Sequence, residues 1–315
     1  MKKMFLTVAA LALICAGCDK DNDNEPKEEP LEIVSTNYLL TVAVVNNAFD
    51  EIGAGVRSVD MKASAPALAA AVDASATVGE PNVTWIYDEK EYEFPVTVTV
   101  DYGTTNVLGR DGRQHRGKLI VKATGPYEAE GTAMVAKFDD WYVEDIKIEC
   151  DSMSIKNIGR DANKHCQFEV EGNFVVSDAN NKIEYSEKTT RTWTAGEGDT
   201  DITKHTYSIT GVQKGKTDDK YAYSIDMLSD DPMVVNVGTR YPTSGTLKFT
   251  IPSAMISEIG MFTQEQAAWL KVLFPNDFPF YLVFVGDNKA KLRYEYTHNG
   301  QTANPETQPF DLDDF

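Results

Sequence analysis

Residues 91–103 read EYEFPVTVTVDYG. Phe94, Val96, Val98, Val100 and Tyr102 alternate with Thr97, Thr99 and Asp101. A period of two puts the apolar set on one face and the polar set on the other, the signature of a half-buried β-strand. The same alternation recurs in KYAYSIDML (220–228), where Tyr221, Tyr223, Ile225 and Met227 share a parity, and in HTYSITG and GTLKFTI. Clusters of Gly, Asn and Asp separate these runs: GRDGR, GRDAN, DANNK, GEGD and GKTDD. Connections this short join antiparallel neighbours, because a parallel crossover needs a dozen or more residues. We therefore expect a mainly β protein with an antiparallel β domain over 81–252. The pattern fits either a sandwich or one long twisted sheet.

Both flanks change period. Over 31–80, Tyr38, Val42, Val45, Phe49, Ile52 and Val56 are spaced by three and four, one face of an amphipathic helix. Gly53 or Gly55 is the expected end, and PALAAAVDASA the expected second, short helix with Pro66 in its first turn. Residues 253–315 begin with a helical insert. Ser253 can cap AMISEI with Gly260 past its end, and Thr263 with Gln266 forms a capping box for QEQAAWLKVLF, which Pro275 stops. PFYLVFV-GDN-KAKLRYEY then reads as a terminal β-hairpin, followed by a partly loose acidic tail, ETQPFDLDDF.

The N-terminus gives an address. Lys2 and Lys3 precede an apolar run from Met4 to Cys15, with Ala16 and Gly17 before Cys18. The run is too short to span a bilayer, which takes about 20 apolar residues, and has the anatomy of a secretory signal over 1–17. CAGC resembles the lipobox of bacterial lipoproteins, which implies lipid on Cys18 as the mature N-terminus and the membrane as a partner through that lipid. Cys15 stands where a Leu is usual. Residues 18–30, CDKDNDNEPKEEP, contain no large apolar side chain beyond Cys18 and read as a disordered acidic tether. The acidic run after Cys18 resembles the surface-export signal of Bacteroidota lipoproteins, whereas in enterobacteria an Asp there retains a lipoprotein at the inner membrane. The expected location is the outer membrane, lipid-anchored and facing outward.

The formal charge is -19, and removing Lys2 and Lys3 with the signal makes it -21. Such a chain repels phosphate backbones, so nucleic acid is not an expected partner. After Cys18 the mature chain keeps Cys150 and Cys166, both on apolar strand faces, which leaves two buried free thiols or a disulfide. His115, His165, His205 and His298 lie too far apart for a metal-binding motif, and no metal or cofactor is expected. GVQKGKT imitates a phosphate-binding loop, but three residues separate Gly211 and Gly215 instead of four.

VTVDYGTTNVLGRDGRQHRGKLIVKATGPY, FDDWYV, TRTWTAG, YSITGVQKG and SGTLKFTI resemble successive blocks of a family of uncharacterised Bacteroidota surface lipoproteins. The resemblance covers about 90–251 and departs after Ile251, where the helical insert replaces a shorter β ending. It implies a β-rich fold and brings no activity or functional residue with it.

No catalytic residue is assigned. FDDWYVED places Asp139, Asp140, Glu144 and Asp145 beside Trp141, and paired carboxylates with an aromatic platform suit glycoside hydrolysis. In so acidic a chain such clusters are common, and the favoured expectation is a non-catalytic surface module that binds a glycan or a partner protein. Trp85, Trp141 and Trp193 are the candidate stacking residues. A structural or fimbria-like envelope subunit is the other alternative. Asp151-Ser152-Met153 fits a short O-glycosylation pattern, which makes Ser152 the candidate site. A Cys18→Ala variant is expected to accumulate as a soluble or uncleaved form in cell fractionation. Normal maturation with retention in the membrane would contradict lipidation.

Overall fold

The VTVTVDYG run becomes a 13-residue strand whose buried positions are Val96, Val98, Val100 and Tyr102. The structure is a computed structural model that describes residues 30–64, 79–90, 93–179, 182–217, 221–257, 264–298 and 300–312. The signal, most of the tether, the PALAAAVDASA helix, Gly260 and Thr263 lie outside the described residues.

Helix α1 spans Pro30–Ser64. The strands are β1 (Asn82–Tyr87), β2 (Val96–Leu108), β3 (Gln114–Ala123), β4 (Ala133–Val143), β5 (Ile146–Glu149), β6 (Met153–Arg160), β7 (Cys166–Ser177), β8 (Lys182–Ala195) and β9 (Thr206–Thr217). They continue as β10 (Tyr221–Met227), β11 (Met233–Asn236), β12 (Gly245–Pro252), β13 (Asp277–Gly286), β14 (Lys289–Arg293), β15 (Tyr296–His298), β16 (Gln301–Ala303) and β17 (Phe310–Asp311), with helix α2 (Gln264–Leu273) before β13. Of the two architectures expected, the single long sheet is the one found. Fifteen strands form one antiparallel sheet, with a main path β1-β2-β3-β4-β5-β7-β8-β9-β10-β12-β13-β14-β17, while β6 joins β4 to β7 and β11 pairs with β9. Most neighbours on this path are also neighbours in sequence, as short hairpin turns require.

The helix departs from expectation in two ways. It runs through Gly53 and Gly55 to Ser64, and between Thr41 and Val59 it is buried on nearly every side. From Thr41 to Val59 only Ala43, Arg57 and Ser58 are more than marginally accessible. The glycines bring the helix close to the sheet. A Cβ at Gly53 would meet the Tyr127 hydroxyl at 2.8 Å, and one at Gly55 would meet Val100 Cγ2 at 2.7 Å. The sheet curls around the helix. Phe49 touches Phe168 on β7 and Tyr207 on β9 with ring centroids 5.8 and 5.3 Å apart, while Arg113 Nη1, at the start of β3, donates to Ala43 O at 3.0 Å.

The C-terminal region shows three further differences. The described part of the AMISEI segment, Ser253–Ser257, forms a five-residue 3-10 turn in place of an α-helix, as befits a segment too short to nucleate one. The terminal hairpin leaves the main sheet after Arg293, and Tyr296 belongs to the separate pair β15-β16. Up to Leu312 the acidic tail is packed against the body. Phe310 and Asp311 pair with β14, and Leu312 is 1% exposed. Apolar residues at a spacing of two, Phe310 and Leu312, cover the last sheet edge.

In an isolated helix Gly→Ala stabilises by about 1 kcal/mol. Gly55→Ala is expected to do the reverse here, lowering the urea midpoint by the equivalent of about 1–3 kcal/mol of overpacking. A raised midpoint would mean that the helix does not lie against Val100.

Candidate functional site

The interior is the first place to look for chemistry, because α1 carries Asn46, Asn47, Asp50 and Glu51 into it, all under 9% exposed. A helix turn places these four on more than one side, so partners must come from several strands. Arg110 Nη2, in the turn after β2, donates to Glu51 Oε2 at 2.8 Å. Asn47 Nδ2 donates to Asp111 Oδ2 at 2.6 Å, and Asp111 Oδ1 lies 2.8 Å from His115 Nε2. On β8 the inward positions include Glu187, Thr189 and Arg191, where Arg191 Nη2 donates to Glu187 Oε1 at 3.1 Å and Gln213 Nε2 of β9 donates to Glu187 Oε2 at 2.8 Å. Arg191 also lies over the Phe49 ring, 4.5 Å from its centroid.

Burial pushes the Asp50 carboxyl up to about 8, against the pull of Arg191 and Arg57 and with help from Glu51 and Asp111. For Asp111 burial acts in the same direction, but the hydrogen bond and charge of His115, together with Arg113, outweigh it and hold the carboxyl below its usual value. A carboxylate-histidine pair can orient a general base. This one is sealed: the His115 ring lies 4.8 Å from Tyr102 and 5.8 Å from Trp141, and His115 itself is 0% exposed. The cavity beside it, lined by Asn46, Asn47, Asp50, Asp111 and Arg113, is about 20 Å³, the size of about one water molecule. No substrate fits there.

The carboxylates of FDDWYVED are on the outside. Asp139, Asp140, Glu144 and Asp145 are exposed at the β4-β5 hairpin, with Asp145 paired to Arg116 and Asp140 3.7 Å from Lys147. Glu144 Oε1 accepts a bond from the Gln114 amide at 2.7 Å. They line neither the interior cavity nor the groove described below, and Trp141, beside them on β4, points inward.

The stacking role of Trp141 and Trp193 is therefore corrected. Both are 0% exposed, Trp141 against Tyr102 and His115, Trp193 against His205 and Tyr207. Trp85 is half-buried on β1 and packs on the core. The disulfide alternative is corrected too: Cys150 and Cys166 are free thiols. Cys166 opens β7 in the core and accepts from Asn157 Nδ2 at 3.2 Å, while Cys150 follows β5 and is half-buried, its thiol pushed by burial up to about 11. Ser152 is exposed. Among the described residues no group of three or more His, Cys, Asp or Glu could hold a metal ion, and no helix is long and apolar enough to cross a membrane.

A groove that sequence reasoning missed lies where β5 gives way to β6. Glu149 pairs with Val175 and Ser154 with Glu171, five steps on one strand against four on the other. The extra residue makes a bulge at Cys150–Ser152 that bends the strand. Beside it, across β7, β8 and β9, opens a concavity of about 620 Å³, within the range of ligand sites. Phe174 and Tyr185 line it but are themselves nearly buried, with rings stacked 4.9 Å apart. Its accessible side chains have the other parity: Asn173, Val175, Glu184, Ser186, Lys214 and Lys216.

Comparison with protein-family models, curated proteins and solved structures finds no match to this chain.

The interior carries a testable pH dependence. The folded-state value of Asp50 is raised, so its contribution to stability is complete below its ordinary value near 3.8 and is lost as pH rises through about 8. His205, held neutral by burial, works in the opposite sense, its contribution being lost as pH falls below 6.5. Urea midpoints measured from pH 6.5 to 9 are expected to fall for the wild type and to fall less for Asp50→Asn. Equal slopes would show that Asp50 does not titrate in this range.

Proposed function

We propose that this chain is a lipid-anchored binding module on the outer face of the outer membrane, which holds a polar ligand in the groove beside the β5-β6 bulge and does not transform it. The volume and position of that groove carry the reading: at about 620 Å³ it is large enough for a ligand, and it lies outside the packed core. The interior supports it by elimination, since the titratable residues there surround a space of about one water. The exposed acids near Trp141 are taken up by Arg116, Lys147 and a backbone amide, which counts against glycoside cleavage. A fimbria-like role is disfavoured by the tail, whose Phe310–Asp311 strand completes the chain's own sheet.

The lipobox and the acidic run after Cys18 support the address. The O-glycosylation pattern at Ser152 adds to it, because that serine is exposed.

The test is the mature chain applied to an array of glycans and peptides, beside a panel of hydrolase substrates. Ser186 is half-exposed on β8 in the groove, so Ser186→Trp fills the groove without touching the core. The expected result is binding that Ser186→Trp abolishes while the circular dichroism spectrum is unchanged, with no turnover. Binding that survives Ser186→Trp would remove the groove from the account. Turnover lost in Asp139→Ala would replace the binding module with an enzyme.

A further inference from the structure

The registers across the groove set its side chains in two rows. One runs Glu149, Val175, Glu184, Lys216, each paired with the next across β5, β7, β8 and β9. The other runs Asn173, Ser186, Lys214 across β7, β8 and β9, with Asp151 of the bulge at its open end. Charges in the first row are locally balanced: Lys147 Nζ lies 3.2 Å from Glu149 and Lys182 Nζ 2.6 Å from Glu184. In the second row neither Asp151 nor Lys214 forms a salt bridge among the described residues, and both are exposed. That row is thus acidic at the bulge, uncharged in the middle and basic at β9.

From β5 to β9 is three inter-strand steps, roughly 14 Å at about 4.8 Å each. A ligand complementary to the row carries a cation at one end and an anion at the other, with hydrogen-bonding groups between them for Asn173 and Ser186. An extended chain of four residues spans about 13 to 14 Å, and an unmodified peptide ends in an ammonium and a carboxylate. A sugar is served less well, because the two aromatic rings of the groove, Phe174 and Tyr185, are only 2% and 5% exposed.

Resting on the groove reading, we propose that the groove takes a short peptide of about four residues with both termini free. It lies across the strands, its ammonium at Asp151 and its carboxylate at Lys214. Asn173 and Ser186 meet its amides, and Val175 gives one side chain an apolar contact.

Occupancy has a built-in reporter. Cys150 lines the groove and is half-buried, whereas Cys166 is 0% exposed, so the accessible thiol of the folded body is Cys150. The probes are tetra-alanine, its N-acetyl and C-amide forms, and chitotetraose, each titrated into the mature chain by calorimetry and by the rate of Cys150 alkylation. Tetra-alanine is expected to slow alkylation, and each cap to weaken binding about three- to fivefold, the range of an exposed ion pair. Asp151→Asn should erase the effect of acetylation alone, and Lys214→Gln that of amidation alone. Equal binding of free and capped peptides, or protection by chitotetraose alone, would overturn the peptide inference and leave the groove standing. If no probe protects Cys150, both the inference and the groove reading fail.

Discussion

A helix with Asn46, Asn47, Asp50 and Glu51 on its buried surface constrains everything around it. An orphaned buried polar group costs about 1–3 kcal/mol and an unpaired buried charge more, so these side chains draw on the sheet for partners, although Asn47 Oδ1 and Asp50 Oδ1 stay without a hydrogen bond. The partners are supplied by well-separated parts of the chain. Arg110 and Asp111 come from the β2-β3 turn, Arg191 from β8, and Arg113 links Ala43 O of the helix to Thr239 O near β11. Removing one side of a buried pair is worth about 3–5 kcal/mol, while an apolar replacement of the whole pair can be neutral. Such pairs are therefore better understood as fixing which residue of the helix meets which strand than as adding stability. The close approach at Gly53 and Gly55 acts in the same direction, because a side chain at either would push the helix off Tyr127 or Val100.

That constraint also decides where a ligand can go. A sheet curled around a helix has no lumen left, and the space beside Asp50 amounts to about one water. Binding surface has to be made on the outside. The one-residue bulge between β5 and β6 makes it by bending the strand away from its neighbours, and it leaves Cys150 and Asp151 at the rim. The groove is lined by outward-facing positions of strands whose inward positions hold the helix. Its rows of side chains are spaced by the registers that the core fixes.

Much of the sheet is legible in the sequence because alternation is a local signal. β10 and β12 each keep one apolar parity from end to end, β2 keeps one from Val96 to Tyr102, and the Gly/Asp turns separate them. Other features depend on contacts distant in sequence and could not be read locally. Gly53 and Gly55 read as a helix end, but they serve close packing against Tyr127 and Val100. Trp141 and Trp193 read as platforms, but Trp193 already shares the buried parity of β8, and Trp141 is turned inward by the irregularity at Asp139–Asp140, after which the buried parity of β4 changes from even to odd. One signal was present and unread. Along IEYSEKTTRTW, Ile183, Tyr185, Glu187, Thr189, Arg191 and Trp193 share the buried parity. A Glu, a Thr and an Arg there announce polar partners inside the sheet: Glu187 takes bonds from Thr189, Arg191 and Gln213, and the charge of Arg191 acts on Asp50 of the helix. The groove left no trace, because a bulge is visible only once both strands are paired.

The central claim is that α1 and the curled sheet form one cooperative unit, held by the buried polar contacts between them. Native-state hydrogen exchange of the amides from Val42 to Val59 tests it most directly. The account predicts that they exchange with the same opening free energy as the inner amides of β7, β8 and β9. Exchange of the helix through a separate, low-energy opening while those strands stay protected would contradict it.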